Sequence, residues 1–242
     1  MIHRAAAARP PADGRPWPAE SEDTLIRTLF RGLSQLAVTA GALVLLFVAY
    51  QVWVTDWVAG GAQERVADDL RDGWQSGPDP RLQPEFGDAF AFLHIPAFGD
   101  WEPRAVIEGT HPAELAEGPG HYVGSAMPGE RGNFAMAGHR VGTGSPFLDL
   151  DLLRPGDAVV VETVDAWHTY RVTGTRIVDP TDISVVAPTP GGALDGEPTG
   201  SFLTMTTCNP KFSNRERLVV HAELESSTTK AEAPEGPAAL TA

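Results

Sequence analysis

Two runs of alternating apolar and polar positions, Phe202 to Thr207 and Leu218 to Leu224, flank a polar Asn/Pro/Lys/Ser loop and predict a strand, a loop and a returning strand. Successive strand side chains face opposite sides of a sheet. Leu203 and Met205 therefore point one way, while Thr204, Thr206 and Cys208 point the other, toward a small polar face. On the return strand Leu218, Val220, Ala222 and Leu224 form the core-facing set, which puts Arg217 on the opposite parity. The cysteine at the end of the first strand and the arginine at the start of the second can thus share a groove outside the sheet.

The same pattern recurs upstream. In N-F-A-M-A-G-H-R, Phe134 and Met136 take one face, and Ala135, Ala137 and His139 the other. Strands are predicted at Ala89–Ile95, Arg104–Glu108, Asn133–Gly138, Ala158–Thr163, Trp167–Val178, Phe202–Thr207 and Leu218–Leu224, with short helical turns at Pro112–Ala116 and Pro146–Leu152. Many short strands between turn signals indicate an all-β domain that closes, or nearly closes, into a barrel.

Outside this domain the pattern changes. Residues 1–31 are rich in Ala, Pro and Arg without hydrophobic periodicity and are read as disordered. From Gly32 to Thr55 no charge occurs, and a span of ~20 mostly apolar residues suffices to cross a bilayer. We place a transmembrane helix at 32–57, with Tyr50, Trp53 and Trp57 as an interfacial belt. Arg27 and Arg31 precede it and no Lys or Arg follows until Arg65, so the N-terminus is assigned to the cytoplasm and the remainder to the outside of a single-pass membrane protein. The rival, a cleaved signal peptide, has a shorter apolar core of ~7–15 residues. Residues 58–85 form a linker, with an amphipathic helix over Gln63–Gln75 that carries Val66, Leu70 and Trp74 on one side. The globular domain spans 86–224, and the Ala/Thr/Glu/Pro-rich stretch 225–242 is read as a disordered tail.

The net charge of −14, with no basic cluster beyond the N-terminal region, argues against nucleic acid as a partner. No metal-ligand spacing appears, and no cofactor is expected. One cysteine in an exported chain cannot form an internal disulfide, so Cys208 is free for chemistry unless it is merely a small buried hydrophobe. Seven histidines are available, at 3, 94, 111, 121, 139, 168 and 221; His139 has the same strand-end setting as Cys208, and the plain alternative for it is a surface histidine after a glycine turn. A thiol beside an imidazole supports acyl transfer, and an arginine nearby can hold a developing oxyanion. With free-solution values of ~8.5 for Cys and ~6.5 for His, the thiolate–imidazolium form is a minority at neutral pH.

The chain resembles the sortases, most closely those of class E. L-T-M-T-T-C at 203–208 is similar to the Thr-Leu-X-Thr-Cys motif of that family, with Met205 where the motif has Leu. A-G-H at 137–139 matches the segment bearing its histidine, and R-L-V-V-H-A at 217–222 the strand that opens with its arginine. G-P-G-H-Y at 118–122, P-G-E-R-G-N at 128–133 and D-P-T-D-I at 179–183 match as well. The resemblance covers roughly Phe86 to Leu224. It implies an eight-stranded sortase barrel with short helices, with Cys208 as nucleophile, His139 as general acid/base and Arg217 as oxyanion or substrate stabiliser. It further implies that Ala137, Thr206 and Thr207 line the peptide groove and that the loop from Asp179 to Gly200 forms its movable wall. The partners implied are proteins with a C-terminal sorting signal of the Leu-Pro/Ala-X-Thr-Gly type, cut between Thr and Gly, and an accepting amine of a Gram-positive cell-wall precursor. Against a pilus-assembling sortase, Asp79-Pro80-Arg81 lacks the aromatic of a lid motif and no second apolar span follows. An L,D-transpeptidase would carry a Ser-His-Gly-type tract before its cysteine. A catalytically silent, membrane-anchored binding module would have no reason to keep all three candidate residues.

Overall fold

The protein is described by a computed structural model covering residues 22–50, 55–76 and 84–241. The chain divides into two units, 1–50 and 51–242.

The described part of the first unit is one helix, α1 (Glu22–Ala49). It starts ten residues earlier than the apolar run suggests, inside the segment read as disordered, because Leu25, Ile26, Leu29, Phe30 and Leu33 already recur at helical spacing. Its stretch Ile26–Val48 is long and apolar enough to cross a membrane; its 23 residues rise about 35 Å, against a hydrocarbon core of ~30 Å. Trp53, read as part of the interfacial belt, lies outside the described residues.

The second unit opens with α2 (Thr55–Gln75), so a helix occupies much of the segment read as a linker and includes the last positions assigned to the membrane span. Val66, Leu70 and Trp74, one helical stripe, pack with Ala67 against Phe92 and Ala105 on the outside of the barrel. The Trp74 ring meets Phe92 edge-on at 5.2 Å.

Eight strands follow: β1 (Ala89–His94), β2 (Arg104–Glu108), β3 (Gly120–His121), β4 (Gly132–Ala137), β5 (Ala158–Glu162), β6 (Ala166–Val178), β7 (Ser201–Asn209) and β8 (Glu216–Thr229). They close into a barrel in the order β1-β2-β3-β4-β7-β8-β6-β5, which leaves no free edge. The helix α3 (Pro112–Glu117) lies between β2 and β3. The interior is filled by the alternate apolar residues the pattern marks, Phe134 and Met136 from β4, Leu203 and Met205 from β7, and Leu218, Val220 and Ala222 from β8. β3 is two residues long, too short for any alternation to reveal. Of the helical turn expected at 146–152, the structure forms a 3-10 turn over Leu150–Leu152.

The expected disordered tail is also corrected. Apolar alternation fades after Leu224, yet β8 runs on to Thr229, because the first half of β6 needs a ladder partner and Ala166–Arg171 pair with Glu223–Thr229. Beyond it, Ala233, Ala239 and Leu240 pack around Trp167, whose indole Nε1 donates to the Ala233 carbonyl at 3.0 Å. Lys230 reaches back to Glu162 at 2.8 Å and lies 4.1 Å from the centre of the Trp74 ring.

Candidate active site

β4 and β7 lie side by side and parallel, in register from Gly132↔Ser201 to Ala137↔Thr206. Parallel strands end at the same end of a barrel, so the residues just beyond each terminus are brought together. Two further bonds extend the match: Gly138 N–H donates to the Thr206 carbonyl at 3.1 Å, and the Thr207 hydroxyl donates to the Gly138 carbonyl at 2.7 Å. Gly138 must be small here, since a Cβ would stand 2.6 Å from the buried Phe147 ring. Phe147 N–H in turn holds the His139 carbonyl at 3.1 Å. Backbone on both sides of His139 is thereby fixed beside the end of β7, and His139 and Cys208 line one cleft of about 290 Å³ with Arg140, Val141, Phe212, Ser213 and Asn214. Cys208 is a free, partly buried thiol. Burial pushes the His139 imidazole below its ordinary value, which favours the neutral ring that can take a thiol proton.

Arg217 faces Cys208 across the β7–β8 ladder, as parity requires. Its guanidinium Nη1 donates to the Asn214 and Glu216 carbonyls, both at 3.1 Å, tying the arginine to the loop that borders the cleft. The three residues expected to line a peptide groove are placed differently from one another. Ala137 is half-buried at the end of β4. Thr206 is 5% exposed and its hydroxyl meets Tyr122 Oη at 3.1 Å and donates to the Met136 carbonyl at 3.2 Å. Thr207 is 3% exposed and on the opposite parity, where its hydroxyl positions Gly138 rather than facing the cleft.

Arg140 is the residue that strand-pattern reasoning passes over. It is 4% exposed and spends its donors on four partners: the Leu148 carbonyl at 3.3 Å, the Cys208 carbonyl at 3.3 Å, Asn209 Oδ1 at 3.0 Å and Asp151 Oδ1 at 3.0 Å. One side chain thus joins the His139 segment to the Cys208 segment. The available signal was its position directly after His139, where a buried arginine needs several acceptors.

A second, larger groove of about 540 Å³ lies between the segment 122–133 and the loop 186–198. The base of that loop, a 3-10 turn over Ile183–Val186, is bound to the barrel by Asn133, whose amide donates to the Val185 carbonyl at 3.2 Å and the Ala187 carbonyl at 2.9 Å. Asn133 Oδ1 accepts from Thr204, and Thr204 accepts from His221 Nδ1. The Thr204 face, read as merely polar, is therefore a buried network. His221 Nε2 is buried without a partner, and burial together with the nearby Arg176 charge pushes the ring down to about 4. Among the described residues, no group of three His, Cys, Asp or Glu side chains is placed to hold a metal.

Comparison with known proteins agrees with this geometry. Residues 93–225 match the family described as Sortase domain. The chain is 35% identical over 202 residues to Sortase SrtE1 of Streptomyces coelicolor, across 80% of this chain and 56% of that relative. It is 34% identical over 207 residues to Sortase SrtE2 of the same organism, across 79% of this chain and 80% of the relative. Among solved structures, the SrtF sortase from Corynebacterium diphtheriae superposes with a TM-score of 0.65 at 40% identity, covering 69% of this chain and 98% of that one. A closed eight-stranded barrel, a free thiol and an imidazole in one cleft, and these matches lead to one conclusion: the chain belongs to the sortase family of cysteine transpeptidases.

Proposed function

We propose that this protein is a membrane-anchored sortase that cuts a Leu-Pro/Ala-X-Thr-Gly sorting signal between Thr and Gly and transfers the protein to a cell-wall amine. The observation that carries the reading is the shared cleft of Cys208 and His139 at the common end of two parallel strands. In the proposed reaction the Cys208 thiol gives its proton to His139 as sulfur attacks the Thr carbonyl carbon. Arg217 stabilises the oxyanion. Collapse breaks the Thr–Gly bond, His139 protonates the departing Gly nitrogen, and the acyl group stays on sulfur as a thioester. An incoming amine then attacks, gives its proton to His139, and leaves as the new amide while Cys208 regains its proton. Ala137 and Thr206 border the peptide path, and Thr207 acts through Gly138. Anchoring is supported by the apolar helix stretch Ile26–Val48, which carries Arg27 and Arg31 within its first turns and no Lys or Arg from there until Arg65, a bias that orients the barrel outward.

The test is incubation of the full chain in detergent with Leu-Pro-X-Thr-Gly and Leu-Ala-X-Thr-Gly peptides and a panel of amines. A thioester mass adduct on the parent, absent from Cys208→Ala, is expected, with the Ala-containing signal accepted at least as well as the Pro one. An adduct persisting in Cys208→Ala would exclude the assignment of the nucleophile.

A further inference from the structure

Away from the thiol cleft, a buried carboxyl and imidazole form a chain that ends in the wall of the larger groove. Glu108 Oε2 lies 2.6 Å from His121 Nδ1, and His121 Nε2 lies 2.7 Å from Ser125 Oγ. Glu108 is 6% and His121 1% exposed, while Ser125 is half-buried and lines the 540 Å³ groove. In outline this is the carboxylate–imidazole–hydroxyl order that activates a serine nucleophile.

The remaining hydrogen bonds assign it a different role. Nε2 has a second acceptor, the Ala126 carbonyl at 3.2 Å. A ring nitrogen set between a carbonyl and a hydroxyl satisfies both only by carrying a hydrogen, so Nε2 is the donor and one proton lies between Nδ1 and Glu108. A nitrogen that already carries its hydrogen cannot serve as the base for Ser125. Ser125 Oγ also accepts the Ala135 main-chain N–H at 3.3 Å. With both acceptances made on the protein side, the serine retains its own hydrogen as a donor, at a residue that lines the groove.

We propose that Ser125 is a recognition donor, its O–H aimed by the buried Glu108–His121 pair at a backbone carbonyl of an extended peptide in this groove. The opposite wall, with Val186, Leu194 and Pro198, offers apolar surface to the side chains of such a peptide. The assignment rests on the reading that the protein takes a peptide substrate.

The test measures binding without cleavage, using the full Cys208→Ala chain in detergent and a fluorescent peptide carrying Leu-Ala-X-Thr-Gly. Adding Ser125→Ala is expected to raise Kd by about three- to tenfold, the worth of one net hydrogen bond. Single thioamide replacements along the peptide, each weakening one carbonyl as an acceptor, should identify one position that loses affinity on the parent and none on Ser125→Ala. Unchanged Kd in Ser125→Ala, or thioamide losses that are the same on both chains, would overturn the assignment alone. Absence of binding by the parent would overturn the peptide reading and this assignment with it. Labelling of Ser125 by a fluorophosphonate would also overturn it, since that requires Nε2 as a base.

Discussion

The Arg140 guanidinium donates to the Cys208 carbonyl at 3.3 Å, so the residue following the candidate base holds the backbone of the candidate nucleophile. The spacing of thiol and imidazole is therefore set by a side chain as well as by the β4–β7 ladder. Arg140→Ala removes donors from the Leu148 and Cys208 carbonyls and from Asn209, and leaves Asp151 with the more distant Lys211 ammonium at 3.8 Å. Losing hydrogen bonds from a charged donor, with Asp151 still partly exposed, costs about 2 kcal/mol. Equilibrium unfolding should show that loss, and thioester formation at a temperature where the variant is folded should fall by about tenfold or more. Arg140→Lys, with one ammonium in place of a planar fork, should recover less than half of either. Unchanged thioester formation in folded Arg140→Ala would reduce Arg140 to a purely structural role.

Arg217 and Arg215 separate by register. Arg217 opposes Cys208 in the ladder and has its guanidinium held by two carbonyls, whereas Arg215 is exposed and precedes β8. Oxyanion stabilisation depends on donors fixed before charge develops. Arg217→Ala is expected to lower turnover about a hundredfold, and Arg215→Ala far less. Steady-state kinetics on both decide it; a larger loss for Arg215→Ala would move the role to the loop.

His221 gives the fold a directional pH response. Its folded value of about 4 lies below the ordinary value of 6.5, so between them the unfolded chain binds more protons than the folded one. The associated stability is present above pH 6.5 and is lost as pH falls toward 4. Denaturant unfolding across this window should show a slope that His221→Asn reduces, by less than about 1.4 kcal/mol per pH unit because one imidazole exchanges at most one proton. Loss of the Thr204–Asn133 network should also loosen the 183–187 turn, seen as faster amide exchange at Gly191, whose N–H is bonded to Ser184.

Much of this was legible in the sequence because the barrel's period of two is written in bulky residues. Phe134, Met136, Leu203 and Met205 fix strand phase, and phase alone sends Cys208 and Arg217 to one face. The reach of β8 to Thr229 left no such mark, since backbone hydrogen bonds to β6 extend it through polar residues. Thr204 was read as part of a small polar face because burial by partners distant in sequence, here Asn133, has no local signature. Arg140 was passed over for the same reason, its donors going to four partners on two segments, and Thr207, placed in the groove by the resemblance, spends its hydroxyl on Gly138.

The parallel pairing of β4 with β7 sets the ends that carry His139 and Cys208 without the loop at 186–198. From Ala137 to Thr206 the route passes through β5, β6 and the loop at 186–198, yet the two ends are clamped by a direct ladder. The groove wall beyond Ala187 is thus a graftable module: its length and chemistry can change while the backbone that carries sulfur and imidazole stays where the ladder has set it.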